Sequence, residues 1–138
     1  MIKLEICKEE DYHFIYQLVK DFFKKNLNVT YLKLETFEEF VKRAFITNDK
    51  YFIVKNNMDD KLGFVHIMNN NEIGYFIDPK IQGRGIGTEA VRQLMELNPR
   101  EVYFATIHNE NKASIRLVEK LGFLPKGTIF EKKLVKEV

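Results

Sequence analysis

Gln82-Gly83-Arg84-Gly85-Ile86-Gly87-Thr88 is the stretch that decides how this chain is read. It follows an apolar run, Ile73 to Ile77, that Asp78-Pro79 ends, and it precedes Ala90, Val91, Leu94 and Met95 at helical spacing. A strand therefore runs through a glycine-rich loop into a helix. Glycines at 83, 85 and 87 let main-chain N–H groups turn toward one point, and the helix adds the positive end of its dipole. Such a loop either cradles a phosphate or pyrophosphate, or serves only the geometry of a strand-to-helix turn. Two nucleotide motifs fail here. A GxGxxG fingerprint read from Gly83 requires glycine where Thr88 stands, and the Gly-Lys-Ser/Thr ending of a P-loop is missing.

Working outward, the helix after the loop leads to a fifth strand expected at Val102 to Ile107, which completes a βαβ unit with a right-handed crossover. A fourth helix is expected from about Lys112 to Leu121, stopped by Gly122, and a C-terminal strand around Thr128 to Val135. Toward the N-terminus, Ile2, Leu4 and Ile6 alternate with charged residues as in a half-buried strand, and Ile15, Leu18, Val19, Phe22 and Phe23 mark a helix over roughly 9 to 25. A second helix begins at a capping box, Thr36 with Glu39, buries Phe37, Phe40, Val41, Ala44 and Phe45, and ends near Asn48. Strands at Tyr51 to Val54, Leu62 to Met68 and Ile73 to Ile77 follow, joined by turns short enough for hairpins. The expected class is α/β: a mixed, mostly antiparallel central sheet flanked by about four helices.

Composition sets the outer limits. The 138 residues make one domain, and 45% apolar residues can fill its core. The net charge of +2 gives no nucleic-acid footprint. Cys7 is the single cysteine, and His13, His66 and His108 show no ligand spacing, so a reduced, cytoplasmic protein without a metal is expected. No apolar run approaches the roughly 18 residues of a membrane span.

Glu72 to Pro79, the QxxGxG run from Gln82 to Gly87 and the following Thr88-Glu89-Ala90 together resemble the acetyl-CoA-binding motif of the GNAT acyltransferases. Asn111 to Phe123, with Ser114 and the ending Glu-Lys-Leu-Gly-Phe, resembles the second segment of that family, closest to its ribosomal-protein N-terminal acetyltransferases (RimJ and RimL). The resemblance implies an N-acetyltransferase with acetyl-CoA as co-substrate. Its pantetheine arm would lie along the fourth strand at main-chain groups near Phe76 and Ile77. The pyrophosphate would sit on the loop formed by Gln82, Gly83, Arg84, Gly85, Ile86, Gly87 and Thr88. Asn111 would reach the cofactor from the opposite side; from local sequence alone it is equally a helix N-cap.

Acyl transfer to an amine needs a neutral amine, a polarised carbonyl, a place for the oxyanion and a proton for the departing thiolate. Main-chain amides near Ile77 can hold the oxyanion. Many GNATs carry a tyrosine seven residues after the asparagine as the acid, and Val118 stands there. The related branch points instead to Ser114, which helical geometry places on the inward face with Leu117, Val118 and Leu121; the alternative is that its hydroxyl bonds the Glu110 carbonyl. Glu72 is the first candidate for the base, His108 or solvent the others, and Thr106 occupies another position where some GNATs have glutamate. This weak inventory of bases favours an α-amine, with a pKa near 8, over lysine near 10.4. The rival reading is a non-catalytic acyl-CoA-binding module. A monomer or homodimer is expected, with its acceptor pocket built by the first two helices, their connecting segment Asn26 to Glu35 and the hairpin loops.

Overall fold

The computed structural model describes residues 1–25, 34–46, 49–81, 83–132 and 134. Strand β1 (Ile2–Ile6) leads through a short 3-10 turn to α1 (Tyr12–Lys25); α2 (Phe37–Ile46), β2 (Lys50–Asn56), β3 (Lys61–Ile67) and β4 (Ile73–Ile77) follow, then α3 (Ile86–Leu97) and α4 (Lys112–Lys120). The four strands form one antiparallel sheet in sequence order.

The two faces of the sheet are buried differently. On one, Tyr51, Ile53 and Phe64 meet Ile15 of α1 and Phe40 of α2. On the other, Phe52, Val54, Val65, Ile67, Ile73 and Ile77 pack on Ala90, Val91 and Leu94 of α3. Residues 51–54 are all buried because both faces are covered, which is why that run is apolar throughout instead of alternating. The result is a three-layer α/β/α arrangement.

Local signals explain the helix ends. Thr36 and Glu39 form the capping box: the Glu39 N–H donates to Thr36 Oγ1 at 3.1 Å, and the Thr36 N–H to Glu39 Oε1 at 2.9 Å. Of the face expected to be buried, Phe40 is sealed while Phe37, Val41 and Ala44 are half-buried; Asn48, where α2 was expected to end, and the Phe45 side chain lie outside what is described. Helix α4 ends in a Schellman motif. Phe123 N–H donates to Val118 O and Gly122 N–H to Glu119 O, both at 3.0 Å, with Gly122 at φ +91°.

Two expected strands do not form. Val102 to Ile107 is reduced to one parallel bridge between Glu72 and Phe104, made by Ile73 N–H to Phe104 O at 2.8 Å and Phe104 N–H to Asn71 O at 3.0 Å. Tyr103 is drawn toward α3, its hydroxyl 2.6 Å from the Asn98 carbonyl. The second strand of the βαβ unit is therefore a single contact beside β4. The C-terminal strand around Thr128 to Val135 is also absent over 128–132 and at 134, residues 133 and 135 lying outside those described. A strand needs a regular neighbour to bond, and the segment at 102–107 does not supply one. Ile129 and Phe130 accordingly stay exposed.

Candidate active site at the end of strand β4

Strand β4 presents two edges. Met68 N–H donates to Glu72 O and Asp78 N–H to Leu62 O, both at 2.8 Å, so the main-chain groups of even-numbered residues between them face β3. The odd-numbered residues face the other edge. There Ile73 takes the bridge with Phe104, and the main-chain groups of Tyr75 and Ile77 point to the same edge. Phe76 turns its own main chain to β3, and its ring stacks on Phe64 at 5.1 Å and meets Phe22 edge-on at 5.3 Å.

Beyond this strand lies the glycine loop. Gly83 and Gly85 adopt φ +89° and +72°, and nothing lies within 4 Å of the position of a Cβ on either. Both are exposed, so the turn before α3 opens to solvent. Gly85 is the N-cap and supplies no side chain to the helix, so the first-turn N–H groups of Ile86, Gly87 and Thr88 are left without a side-chain cap from it. Uncapped N–H groups at a helix start are donors of the kind a phosphate or pyrophosphate accepts from. Gly87 has a different role: a Cβ there would stand 2.8 Å from Leu117 Cδ1, so its absence lets α3 approach α4. Arg84 is exposed beside the loop, and Gln82 lies outside the described residues.

Asn111 is the N-cap of α4, its Oδ1 accepting the Ser114 N–H at 3.3 Å. Ser114 is half-buried, and its hydroxyl forms no bond to the Glu110 carbonyl. Its own carbonyl accepts the phenol O–H of Tyr75 at 3.2 Å. Desolvation holds that phenol above the usual tyrosine pKa, offset in part by the bond to Ser114, so it keeps its proton. Val118 is buried at 7% exposure, which places an apolar group where many GNATs carry their acid. Glu72 is half-buried at the bridge, and His108 is bound locally, its Nδ1 accepting the Glu110 N–H at 3.1 Å.

Sequence reasoning passed over two features. One is Tyr75, whose strand position gave no hint that it reaches α4. The other is the pair His66 and Gly74, opposite each other on β3 and β4. Glycine inside a strand is itself a signal of close approach, and here it makes room for the imidazole.

A family model described as an acetyltransferase (GNAT) domain matches residues 3–124. With the matching cradle and helix order, the chain belongs to the GNAT acetyltransferase family, and its class is acetyl-CoA-dependent N-acetyltransferase. It is 27% identical to the spermidine N(1)-acetyltransferase of Escherichia coli K12 over 147 residues, covering 93% of this chain and 75% of that protein. Among solved structures it resembles spermidine N-acetyltransferase from Vibrio cholerae in complex with CoA and spermine (TM-score 0.78, 19% identity, 98% of this chain and 88% of that one). It also resembles RimL, the ribosomal L7/L12 alpha-N-protein acetyltransferase in complex with CoA (TM-score 0.71, 19% identity, 91% and 81%).

Proposed function

We propose that this chain acetylates an α-amine, at a protein N-terminus or on a small amino compound. The observation that carries the reading is the solvent-open turn at Gly83 and Gly85, which leads from the end of β4 into α3 without a side-chain cap. Acetyl-CoA, when bound, supplies the thioester carbonyl. Amides from Gly83 to Thr88, with Gln82 and Arg84 beside them, hold its pyrophosphate. The strand around Phe76 and Ile77 lines its pantetheine arm, and Asn111 fixes the start of α4 on the other side.

Glu72, at the head of β4, takes the amine proton through water; its side chain shares the α1/α2 face with Gly74 and Phe76. Ser114 steadies the departing sulfur by hydrogen bonding, because a hydroxyl's high pKa makes full proton donation unfavourable. The spermidine and RimL enzymes among the relatives bracket the acceptor choice, and the absence of a strong base at Thr106 favours an amine that is neutral near pH 8. Among the described residues no helix is long and apolar enough to cross a membrane. We place the protein in the cytoplasm as a monomer or homodimer.

Thiol release from acetyl-CoA over a panel of N-terminal peptides, polyamines and aminosugars tests the reading. Release with free-α-amine peptides supports it, and acetyl-CoA binding without release from any amine would leave the non-catalytic module instead.

A further inference from the structure

The α1/α2 face of the sheet beside β4 holds one polar ring, His66, that has no part in the proposed acetyl transfer. His66 lies opposite Gly74 on the face of α1 and α2, in the row that includes Tyr51. Its imidazole stacks on the Tyr51 ring with centroids 4.7 Å apart and planes 6° from parallel. Behind that stack Arg43 donates to the Tyr51 hydroxyl at 3.2 Å and to both carboxylate oxygens of Glu35, which fixes the tyrosine. The ring leans over β4: a Cβ on Gly74 would stand 2.1 Å from His66 Nε2, so the glycine is the notch into which that nitrogen fits.

The two ring nitrogens differ. Nδ1 is sealed from solvent and finds no hydrogen-bond partner among the described residues, although His66 as a whole is only half-buried. Leaving a buried polar atom unpaired is unfavourable, and an apolar ring would pack here without that cost, so packing alone does not account for a histidine. Desolvation, with the Arg43 charge second, drives its pKa down to about 4, so the ring is neutral at physiological pH and carries one N–H. An orphaned buried donor is the more strongly avoided state, since a lone pair tolerates burial better than an N–H. The proton therefore belongs on Nε2, at the Gly74 notch, on the face of the sheet that Gly74 shares with Glu72 by strand alternation.

We infer that His66 is a specificity-determining residue of the acceptor site: its Nε2–H, seated in the Gly74 notch, donates a hydrogen bond to a carbonyl oxygen adjacent to the reacting amine. The inference rests on the proposed acetyl transfer and narrows its acceptor. The α-amine of a peptide N-terminus or an α-amino amide brings such an oxygen. A polyamine, cationic at its nitrogens near neutral pH, brings donors only and gains nothing from Nε2–H.

The test compares a tripeptide amide with a free N-terminus against spermidine as acceptors for the intact protein. His66→Phe should lower kcat/KM about tenfold for the peptide, mainly through KM, and leave spermidine unchanged, one hydrogen bond being worth about that factor. Gly74→Ala should reproduce the peptide-specific loss by displacing the ring. Equal losses for both acceptors would overturn the inference, as would an unchanged peptide rate.

Nitrogen-15 NMR of the wild-type imidazole gives a readout that needs neither variant nor turnover. An Nε2–H tautomer whose resonance moves on adding the tripeptide amide to the complex with CoA, which carries no acetyl group to transfer, and not on adding spermidine, is expected. An Nδ1–H tautomer, or no response to the peptide, would overturn the role of His66. Should the wild type acetylate neither acceptor, the proposed acetyl transfer fails in the thiol assay while these spectra still decide the donor role.

Discussion

Acid should weaken this fold in two stages, and His66 controls the first. Its pKa falls from 6.5 in the unfolded chain to about 4 in the fold because burial, and then the Arg43 charge, disfavour the imidazolium. As pH drops below 6.5 the unfolded chain takes up a proton that the fold refuses, so stability declines through that window and levels off below about 4. Integrating the two ionisations gives a loss of about 2 kcal/mol between pH 7.5 and 5. Carboxylates act lower on the scale: Glu89, hydrogen-bonded by Arg92 and Gln93, is held at about 2 and costs stability only as pH falls below its ordinary 4.5. Urea unfolding at half-unit pH intervals, followed by far-UV circular dichroism, resolves the first stage. His66→Phe should flatten the slope between pH 7.5 and 5 and preserve the lower one. A ramp of the same size in that variant would refute the burial argument.

Gly63→Ala should destabilise by about 3 kcal/mol or more, since a Cβ there would stand 2.2 Å from the Phe76 carbonyl oxygen, in the backbone of the neighbouring strand; denaturant midpoints measure it. Ser114→Ala should lower kcat at least tenfold with little change in acetyl-CoA affinity, because the hydroxyl acts on charge that develops as the C–S bond breaks; unchanged kinetics would make it a packing residue. Glu72→Gln should depress the rate well below pH 8 and matter less once the amine is neutral, and a flat ratio of the two pH profiles would remove the base role.

Features fixed by neighbours in sequence were readable before the fold was known. The Thr36–Glu39 box, the stop at Gly122 and the period change at Tyr51 each depend on residues a few positions apart, and each appears where expected. The turn before α3 belongs to the same class, because the left-handed conformations of Gly83 and Gly85 are set by those residues themselves. What failed was long-range pairing. Val102 to Ile107 has the residues of a strand, but pairing depends on what stands beside it, and only Phe104 meets β4. His66 and Tyr75 were overlooked for a related reason: the notch at Gly74 and the carbonyl of Ser114 are 8 and 39 residues away, and alternation along a strand names a face without naming what crosses it.

Thermal unfolding with and without acetyl-CoA shows whether the Gly83–Thr88 turn receives it. At a hundred times its dissociation constant acetyl-CoA should add about 2.7 kcal/mol, which for 138 residues raises Tm by roughly 9 °C. Gly85→Val places a β-branched side chain at φ +72° in the mouth of the cradle and should start from a lower Tm and lose the ligand-induced rise. An equal rise in the variant, or none in the wild type, would contradict the assignment.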